Sequence, residues 1–536
     1  MFSRTKLFMP ATENGRAQPR TALPLWFQLL AGILFLLAIV LRVSLYHIQT
    51  SDYTVFVSQW YDYIQNHGGF AALRYSFSNY NVPYLYLLTI ATYLPVPKLI
   101  AIKSISVLFD VVLGIFTYLI INLKYPRSIA AVIGALVILF APTIFINSAA
   151  WGQCDAIYTA FCLGSLYFLL KERPLLACIF FGVALSFKLQ AIFFAPVLLV
   201  FLLKRRVALQ HLLIIPAIFL LLLTPALIAG RAVTSLMSIY VDQANTGGVG
   251  AVGGAGQFGG GFGGRGGQGQ FNAGAPGQFN GGTPHQFHGE GARPSNDGVP
   301  HQFGNGGGPG QFNRGGHGGS TMSSSSFTYN APSFYQWLPS GAPEYWKWIG
   351  IALAALFVVL IGVLLWRSKR PITSGIILKV TLVFALAIPF LLPEMHERYF
   401  YLADVVSIIY AFYFPRRFYI PIIMQLCSLL SYAPYLLNHQ MVGLNYVAFG
   451  VLAITIITFA DLIVTLYPDL RKRSVGKSED GNDDTAPAIA SKNVLSGIAS
   501  RDPIDRVRRF IDCLSRNILC AHSRFMCSHS INRRAA

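Results

Sequence analysis

Charged residues are scarce in this sequence. Asp, Glu, Lys and Arg make up 12% of its 536 residues, whereas an average soluble domain carries roughly 25%. Hydrophobic residues reach 54%, and the mean hydropathy is +0.51. This balance excludes an ordinary soluble domain. The many apolar runs long enough to cross a bilayer predict an all-α polytopic membrane protein.

Cysteine is also rare, and glycosylation sequons are missing. The seven cysteines fall mostly in apolar runs or in the C-terminal tail, so they predict no disulfide framework. The tail cysteines, with His522 and His529, lack the paired C-x₂-C spacing of a zinc site. No Asn-x-Ser/Thr sequon occurs, which favours a bacterial protein over one of the secretory pathway.

Positive charge is abundant by contrast, with a net charge of +19. Such a charge is typical of nucleic-acid binding, but here the basic residues cluster in short segments between apolar runs. The positive-inside rule assigns such clusters to the cytoplasm. We therefore predict a multi-pass plasma (inner) membrane protein with both termini cytoplasmic and no nucleic-acid partner. The clusters are Lys124/Arg127, Lys171/Arg173, Lys204/Arg205/Arg206, Arg367/Lys369/Arg370, Arg416/Arg417 and Arg471/Lys472/Arg473.

These clusters and the apolar runs together predict about 12 transmembrane helices in a domain spanning residues 24–467. The uncharged stretch 21–41 is too long for a signal-peptide core and indicates a retained first span. A cytoplasmic segment 1–23 precedes this domain, and a first outer loop covers 47–98. The predicted spans are 24–46, 99–122, 128–147, 156–170, 175–187, 190–203, 208–229, 347–366, 373–392, 400–414, 417–437 and 443–467.

Three segments do not fit the span pattern. Residues 83–95 are apolar but too short to cross, so we expect an interfacial helix on the outer surface. The Gly-, Gln- and Phe-rich segment 246–320 cannot bury a core and predicts a disordered insert in an outer loop. The polar tail 468–536 is predicted to be mostly disordered, with an amphipathic helix at 503–519 on the cytoplasmic leaflet.

The unusual polar residues all fall at the predicted outer ends of spans. Asp52 follows the first span in a loop rich in aromatic and amide residues. It suits the N-cap of a helix, or it could act as the general base for an acceptor hydroxyl.

Two further pairs of polar residues lie at the predicted outer ends of other spans. Asp155, in "WGQCD" with Gln153, either caps a helix or orients a substrate or a divalent metal such as Mg²⁺ or Mn²⁺. Lys188 interrupts an apolar hairpin, with Gln190 close by. It could snorkel to the interface, but positive charge is disfavoured at an outer end, which favours an anionic ligand.

The segment "PEMHERYF" brings three ionisable side chains to a short outer loop: His396, Glu397 and Arg398. They could form a local ion pair, but Arg is suited to bidentate phosphate binding. A carboxylate, a lysine and an arginine on one face at membrane level suit a lipid-linked phosphate as leaving group and a hydroxyl as acceptor.

Five segments resemble the GT-C superfamily of integral-membrane glycosyltransferases. They are more closely similar to the bacterial relatives of the GPI mannosyltransferase that adds the second mannose. The segments occur in order across the membrane region. They are "SDYTVFVSQWYDYI", "WGQCDAIY", "LSFKLQAIFFAPVLL", "NAPSFYQWLPSG" and "LPEMHERYFYLADV".

This resemblance implies a GT-C-like catalytic domain that moves a hexose, mannose in that branch, from a polyprenyl-phosphate sugar to a hydroxyl on a glycan, glycolipid or protein. It implies inverting transfer with the acid of the first loop as base, a role that falls on Asp52. We assign Lys188, His396 and Arg398 to the donor phosphate. Gln153, Asp155, Gln190 and Glu397 are assigned to substrate or metal orientation. The insert at 246–320 departs from the family pattern.

Two other classes compete with a transferase. A transporter or lipid-linked-sugar flippase would also have polar residues in its spans, but near the midplane on broken helices. A structural protein that displays the glycine-rich loop would not need the charged residues elsewhere. The predicted outer-end position of these residues favours the enzyme.

Overall fold

The computed structural model of the protein describes residues 23–245, 327–339 and 341–468. The predicted insert at 246–320 lies outside the described residues. So do the segment before Leu23 and the tail after Pro468, with its predicted helix at 503–519. Disorder of the insert and tail therefore stays a prediction.

The described chain is mostly helical. Its two short strands, β1 (Thr328–Tyr329) and β2 (Met395–His396), pair in parallel. The helices are α1 (Leu25–Ser44), α2 (Ser58–Asn66), α3 (Val82–Thr92), α4 (Lys98–Lys124), α5 (Ile129–Phe140), α6 (Pro142–Phe145), α7 (Asp155–Leu170), α8 (Pro174–Phe187), α9 (Ala195–Leu203), α10 (Leu209–Leu212), α11 (Ile214–Ile228), α12 (Val233–Asn245), α13 (Tyr345–Arg367), α14 (Ser374–Leu391), α15 (Tyr401–Tyr413), α16 (Tyr419–Leu436) and α17 (Leu444–Leu466).

Seven helical stretches in the described part of the chain are long and apolar enough to cross a membrane, so the protein is a multi-pass membrane protein. They are Leu25–Ser44, Lys98–Lys124, Leu209–Ile228, Tyr345–Arg367, Ser374–Leu391, Pro415–Leu436 and Leu444–Leu466.

An eighth span is possible where Ile129–Phe140 and Pro142–Trp151 meet at a 48° bend. The bend follows from Pro142, which cannot continue the helical hydrogen bonding of α5 and forces an extended conformation on Ala141. The predicted number of twelve spans is not confirmed, because several of the predicted segments form helices too short to qualify.

The segment predicted as an interfacial helix is helical, as α3. The side chain of Asn81 caps α3 by accepting a hydrogen bond from the N–H of Val82 at 3.0 Å. Most of α3 is buried, including Tyr84, Leu85 and Leu88, and it packs against α2 and α4. Its position at an interface is not confirmed and stays a prediction.

The basic loops gather at one end of the bundle, which we call the basic end. Lys204 Nζ donates to the carbonyl of Ser368 at 2.7 Å, and Ser368 Oγ donates to the carbonyl of Leu466 at 3.2 Å. Arg206 reaches the carbonyl of Ile372 at 3.2 Å. The C-terminal ends of α9, α13 and α17 therefore meet here, as alternating spans require. Which compartment this end faces remains a prediction.

The first span is attached to the bundle by a buried ion pair. Most of α1 is exposed, but Arg42 is fully buried, with Nε 2.8 Å from Asp110 Oδ2 on α4. Arg42 Nη1 donates to the carbonyl of Leu139 at 2.8 Å, and Ser148 Oγ donates to the same Asp110 oxygen at 2.5 Å. One charge pair thus connects α1, α4 and the bent span.

Helix α14 lies in the interior of the bundle: 83% of it is buried, against 11% of the span Leu209–Ile228. α15, which follows α14, is also largely buried. Residues 392–400 connect these two buried helices, so both ends of that connection are held firmly. This connection lies at the end of the bundle opposite the basic loops. We call that end the site end.

Candidate active site

Asp52 stands at the start of a π-helical turn, Tyr53–Val57, that continues into α2. Such turns are wider than an α-helix and occur frequently at functional sites. The side chain of Asp52 makes no capping hydrogen bond. Its backbone N–H donates instead to the hydroxyl of Tyr435 at 3.0 Å, and the same hydroxyl lies 2.6 Å from Ser51 Oγ. The capping role considered for Asp52 is therefore absent from this structure.

The carboxylate of Asp52 is held by two donors from the "WGQCD" segment. Trp151 Nε1 donates to Oδ2 at 3.0 Å, and Gln153 Nε2 donates to the same oxygen at 2.5 Å. The side chain is 22% exposed, and no hydrogen bond from the described residues reaches Oδ1. One oxygen is thus fixed while the other is available to an incoming hydroxyl.

A buried lysine positions both of these segments. Lys103 Nζ donates to the carbonyl of Ile48 at 2.5 Å and to the carbonyl of Ala150 at 3.0 Å. Ala150 lies near the end of the π-helical segment Ile146–Trp151, so the ammonium offsets the negative end of that segment, whereas Ile48 lies beyond the end of α1 in the loop that leads to Asp52. Gly152 follows with φ +79°, which a glycine adopts without strain, and it turns Gln153 towards Asp52.

Asp155 and Lys188 form a buried pair beside Asp52. Asp155 is the first residue of α7 and is fully buried. Its Oδ1 lies 2.5 Å from Lys188 Nζ, and its Oδ2 accepts a hydrogen bond from Asn147 Nδ2 at 2.9 Å. Lys188 sits where α8 breaks into the 3₁₀ turn Leu189–Phe194, and only 8% of its side chain is exposed. It does not snorkel to the surface in this conformation.

Arg398 lies at the centre of three carboxylates. Its guanidinium is 3.4 Å from Glu397 Oε1, 3.8 Å from Asp52 Oδ2 and 4.0 Å from Asp155 Oδ2. These distances exceed those of strong charge-assisted hydrogen bonds, and its Nε atom is buried with no hydrogen-bond partner among the residues that the structure describes. The guanidinium also lies 5.4 Å from the centre of the Trp151 ring. Arg398 is therefore positioned by several groups but fully engaged by none.

The pairing of β1 with β2 fixes His396 and Glu397. The His396 ring stacks on Tyr329 with centroids 4.7 Å apart. Burial, with the positive charges of Arg398 and Lys188, lowers the pKa of His396 well below its usual value, so the ring is neutral at pH 7. Burial raises the pKa of Glu397 to about 7, although Arg398 opposes that shift.

The structure brings most of the sequence-predicted site residues into one connected cluster. Direct contacts join six of them: Asp52, Gln153, Asp155, Lys188, Glu397 and Arg398. His396 adjoins this cluster through Glu397, at 3.9 Å. Gln190 lies two residues after Lys188 in the 3₁₀ turn, and its buried Oε1 has no hydrogen-bond partner in the described part of the chain.

Four further residues of the site were not predicted. Asn147 and Trp151 belong to the polar segment around "WGQCD", so their membership of that segment could have identified them from the sequence. Tyr80 donates to Gln153 Oε1 at 3.4 Å, and its ring centre lies 5.7 Å from Lys188 Nζ. Neither Tyr80 nor Tyr435 has a local sequence signal, because each contacts the cluster from a distant part of the chain.

The donor set does not suit a divalent metal. In the described ranges, no group of three or more His, Cys, Asp or Glu residues converges as metal ligands. Asp155, the candidate ligand, already uses both oxygens in contacts with Lys188 and Asn147. We therefore derive no catalytic step through Mg²⁺ or Mn²⁺.

Comparison with known proteins points to one enzyme class. Residues 97–244, a little over a quarter of the chain, match the ALG6, ALG8 glycosyltransferase family model. The match supports a GT-C membrane glycosyltransferase that uses lipid-linked sugar donors. It includes the segment with Trp151 and Asp155 as well as Lys188, and it ends before Arg398. No curated protein matches the chain.

Proposed function

We propose that this protein transfers a hexose, mannose by its resemblance, from a polyprenyl-phosphate sugar to an acceptor hydroxyl at the outer face of the plasma membrane. The observation that carries the proposal is the geometry of Asp52. One of its oxygens is held by Trp151 and Gln153, the other is open, and Arg398 lies 3.8 Å away. A base for the acceptor hydroxyl and a cation for the leaving phosphate therefore lie next to each other.

In this proposal the donor phosphate binds at Arg398. The buried Nε of the guanidinium has no partner in the described ranges, so an arriving phosphate can be bound without first breaking a strong bond. Lys188, which is paired with Asp155, adds positive charge to this phosphate site. His396 is neutral and therefore contributes a hydrogen bond rather than charge.

The chemical step breaks one bond at the anomeric carbon and forms another. Asp52 Oδ1 takes the proton of the acceptor hydroxyl as its oxygen attacks the anomeric carbon from the face opposite the phosphate. The bond from that carbon to the phosphate oxygen breaks, and its electron pair leaves with the polyprenyl phosphate. Arg398 and Lys188 stabilise the charge that develops on that oxygen. Attack opposite to departure inverts the anomeric configuration.

Asp155 acts in this scheme as a positioning residue. Its two oxygens bind Lys188 and Asn147, so it holds the lysine in the site instead of contacting the substrate. A buried pair of this kind is costly to break from one side, because the remaining charge stays uncompensated.

Asp52→Asn tests the proposed base. The change keeps the size of the side chain and leaves an oxygen for Trp151, so the protein should fold and bind donor normally. Transfer of labelled sugar from a polyprenyl-phosphate donor in membranes should fall by roughly 100-fold or more, the scale of general-base catalysis.

Asp62→Asn is the matched control, since Asp62 lies on the next turns of the same helix and pairs with Lys98 at 2.8 Å, away from the cluster. It should transfer at the wild-type rate. A fully active Asp52→Asn protein would remove Asp52 as the base. Loss of lipid translocation with normal transfer would favour the flippase alternative.

A further inference from the structure

Among the described residues, Arg231 is a buried cation without an acidic partner. It follows the span that ends at Ile228, and it is 3% exposed. The other buried cations of the site end have carboxylates or carbonyls: Lys188 contacts Asp155, Arg398 lies among three acids and Lys103 binds carbonyl oxygens. In the described ranges, no salt bridge involves Arg231, and its Nη1 atom is buried with no hydrogen-bond partner.

The contacts that Arg231 does make are weak and come from hydroxyls. Its Nη2 lies 3.2 Å from Ser76 Oγ, and its Nε lies 3.4 Å from Ser235 Oγ. Hydroxyls can donate to an anion as well as accept from a guanidinium. Ser76 is exposed, so the hydroxyl that contacts Nη2 lies at the protein surface.

A second source of positive potential adjoins Arg231. Helix α12 begins at Val233, and Ser235 lies in its first turn. The first N–H groups of a helix have no intrahelical partner and carry the positive end of its dipole. An uncompensated guanidinium beside such a helix end is energetically costly when no anion is bound. Binding of an anion relieves that cost.

From this geometry we propose that Arg231, Ser76, Ser235 and the first turn of α12 bind a phosphate group, carried either by a membrane lipid headgroup or by free phosphate. The position just beyond a span places the group where lipid headgroups lie. None of its contacts is shared with the Asp52–Arg398 cluster, so this is a second anion site. It does not depend on the proposed transfer reaction.

The test uses the purified full-length chain in detergent. Its unfolding temperature is followed during titration with dihexanoyl phosphatidic acid, with inorganic phosphate, and with dihexanoylglycerol, which lacks the phosphate. The wild-type chain should show a saturable rise with a phosphate-bearing probe and none with dihexanoylglycerol. Binding of inorganic phosphate alone identifies a free-anion site, and a requirement for the acyl chains identifies a lipid site; either result supports the proposal when the binding depends on Arg231, because Arg398 is itself proposed to bind a phosphate.

Arg231→Gln should raise the apparent Kd of the phosphate-bearing probe by at least about 10-fold, because a charge-assisted contact is lost. Arg231→Lys keeps the charge without the planar fork and should bind with intermediate strength, which covers the case in which Arg231→Gln does not fold. Arg74→Gln is the matched control. Arg74 lies two residues before Ser76 and is exposed, and its side chain lies over the Tyr75 ring, so its removal should leave binding unchanged.

Three results would overturn the proposal. One is the absence of a saturable shift in the wild-type chain with either phosphate-bearing probe. Another is unchanged binding in Arg231→Gln. The third is an equal loss in Arg74→Gln, which would mean that the probe responds to overall charge rather than to this site.

Discussion

Replacement of Glu397 by Gln tests whether the charge balance around Arg398 controls donor binding. Glu397 Oε1 is 3.4 Å from Arg398 Nη1, and burial raises the pKa of this carboxyl to about 7. The acid is therefore mainly neutral below pH 7 and mainly ionised above it. Once ionised, it competes with a donor phosphate for the guanidinium. We expect donor binding to weaken as the pH rises through 7.

The size of the effect follows from that pKa. With a value of about 7, roughly nine-tenths of Glu397 is neutral at pH 6 and roughly one-tenth at pH 8. If only the neutral form admits the phosphate, the donor KM rises about 10-fold between these pH values. A sugar phosphodiester keeps a single negative charge throughout this range, so the donor itself does not titrate.

The stability of the protein should also fall as the pH rises through 7. The folded protein holds the Glu397 proton more tightly than the unfolded chain, in which a carboxyl titrates near 4.5. Between these values the folded state binds more protons, so the free energy of unfolding contributed by Glu397 falls as the pH rises. Glu397→Gln removes this dependence because the amide stays neutral.

The assay is transfer from a polyprenyl-phosphate sugar at varied donor concentration between pH 6 and 8. Wild-type KM should rise with pH, whereas KM of Glu397→Gln should stay nearly flat. His396→Asn serves as the control: His396 is neutral over the whole range, so this change can alter KM without altering its slope against pH. An unchanged pH slope in Glu397→Gln would refute the reasoning.

Three further outcomes follow from the structure. Arg398→Lys should lose most transfer while the protein still inserts, because a point charge cannot reproduce a planar fork; normal activity would count against bidentate phosphate contact. Lys188→Gln should destabilise the protein by about 3–5 kcal/mol by leaving Asp155 unpaired, and adding Asp155→Asn should restore the unfolding temperature but not transfer, a result that a purely structural pair would not give. In intact cells, a cysteine replacing His439 at the site end should react with a membrane-impermeant thiol reagent and one replacing Lys369 at the basic end should not; the reverse pattern would invert the proposed orientation.

Much of the helical layout could be predicted from the sequence, because apolar runs and basic clusters mark the ends of helices. The segment predicted at 99–122 is observed as Lys98–Lys124, and the one at 373–392 as Ser374–Leu391. The segments singled out from the sequence, because charge at a helix end in a membrane protein is unusual, also meet in one cluster in the structure. That this cluster is the active site stays a prediction. The number of crossings was harder to predict, because the bend at Pro142 and the short helices depend on how neighbours pack.

The detailed geometry of the site could not be predicted in the same way. The π-helical segments at Tyr53–Val57 and Ile146–Trp151 have ordinary helical composition, and their widening serves contacts with residues far along the chain. Whether Asp155 is free or paired depends on Lys188, 33 positions later, and on a break in α8. A single sequence has no means of measuring these distances.

The Arg42–Asp110 pair has a consequence for how the protein is made. Arg42 leaves the ribosome 68 residues before Asp110 and 97 before the carbonyl of Leu139. A lone guanidinium is costly inside a bilayer, but Arg42 lies two residues from the end of its helix and can reach water. We therefore expect the Arg42 side chain to extend to water while only the first span has been made. It can turn inward to Asp110 and the carbonyl of Leu139 only after α4 and the bent span have been inserted beside α1.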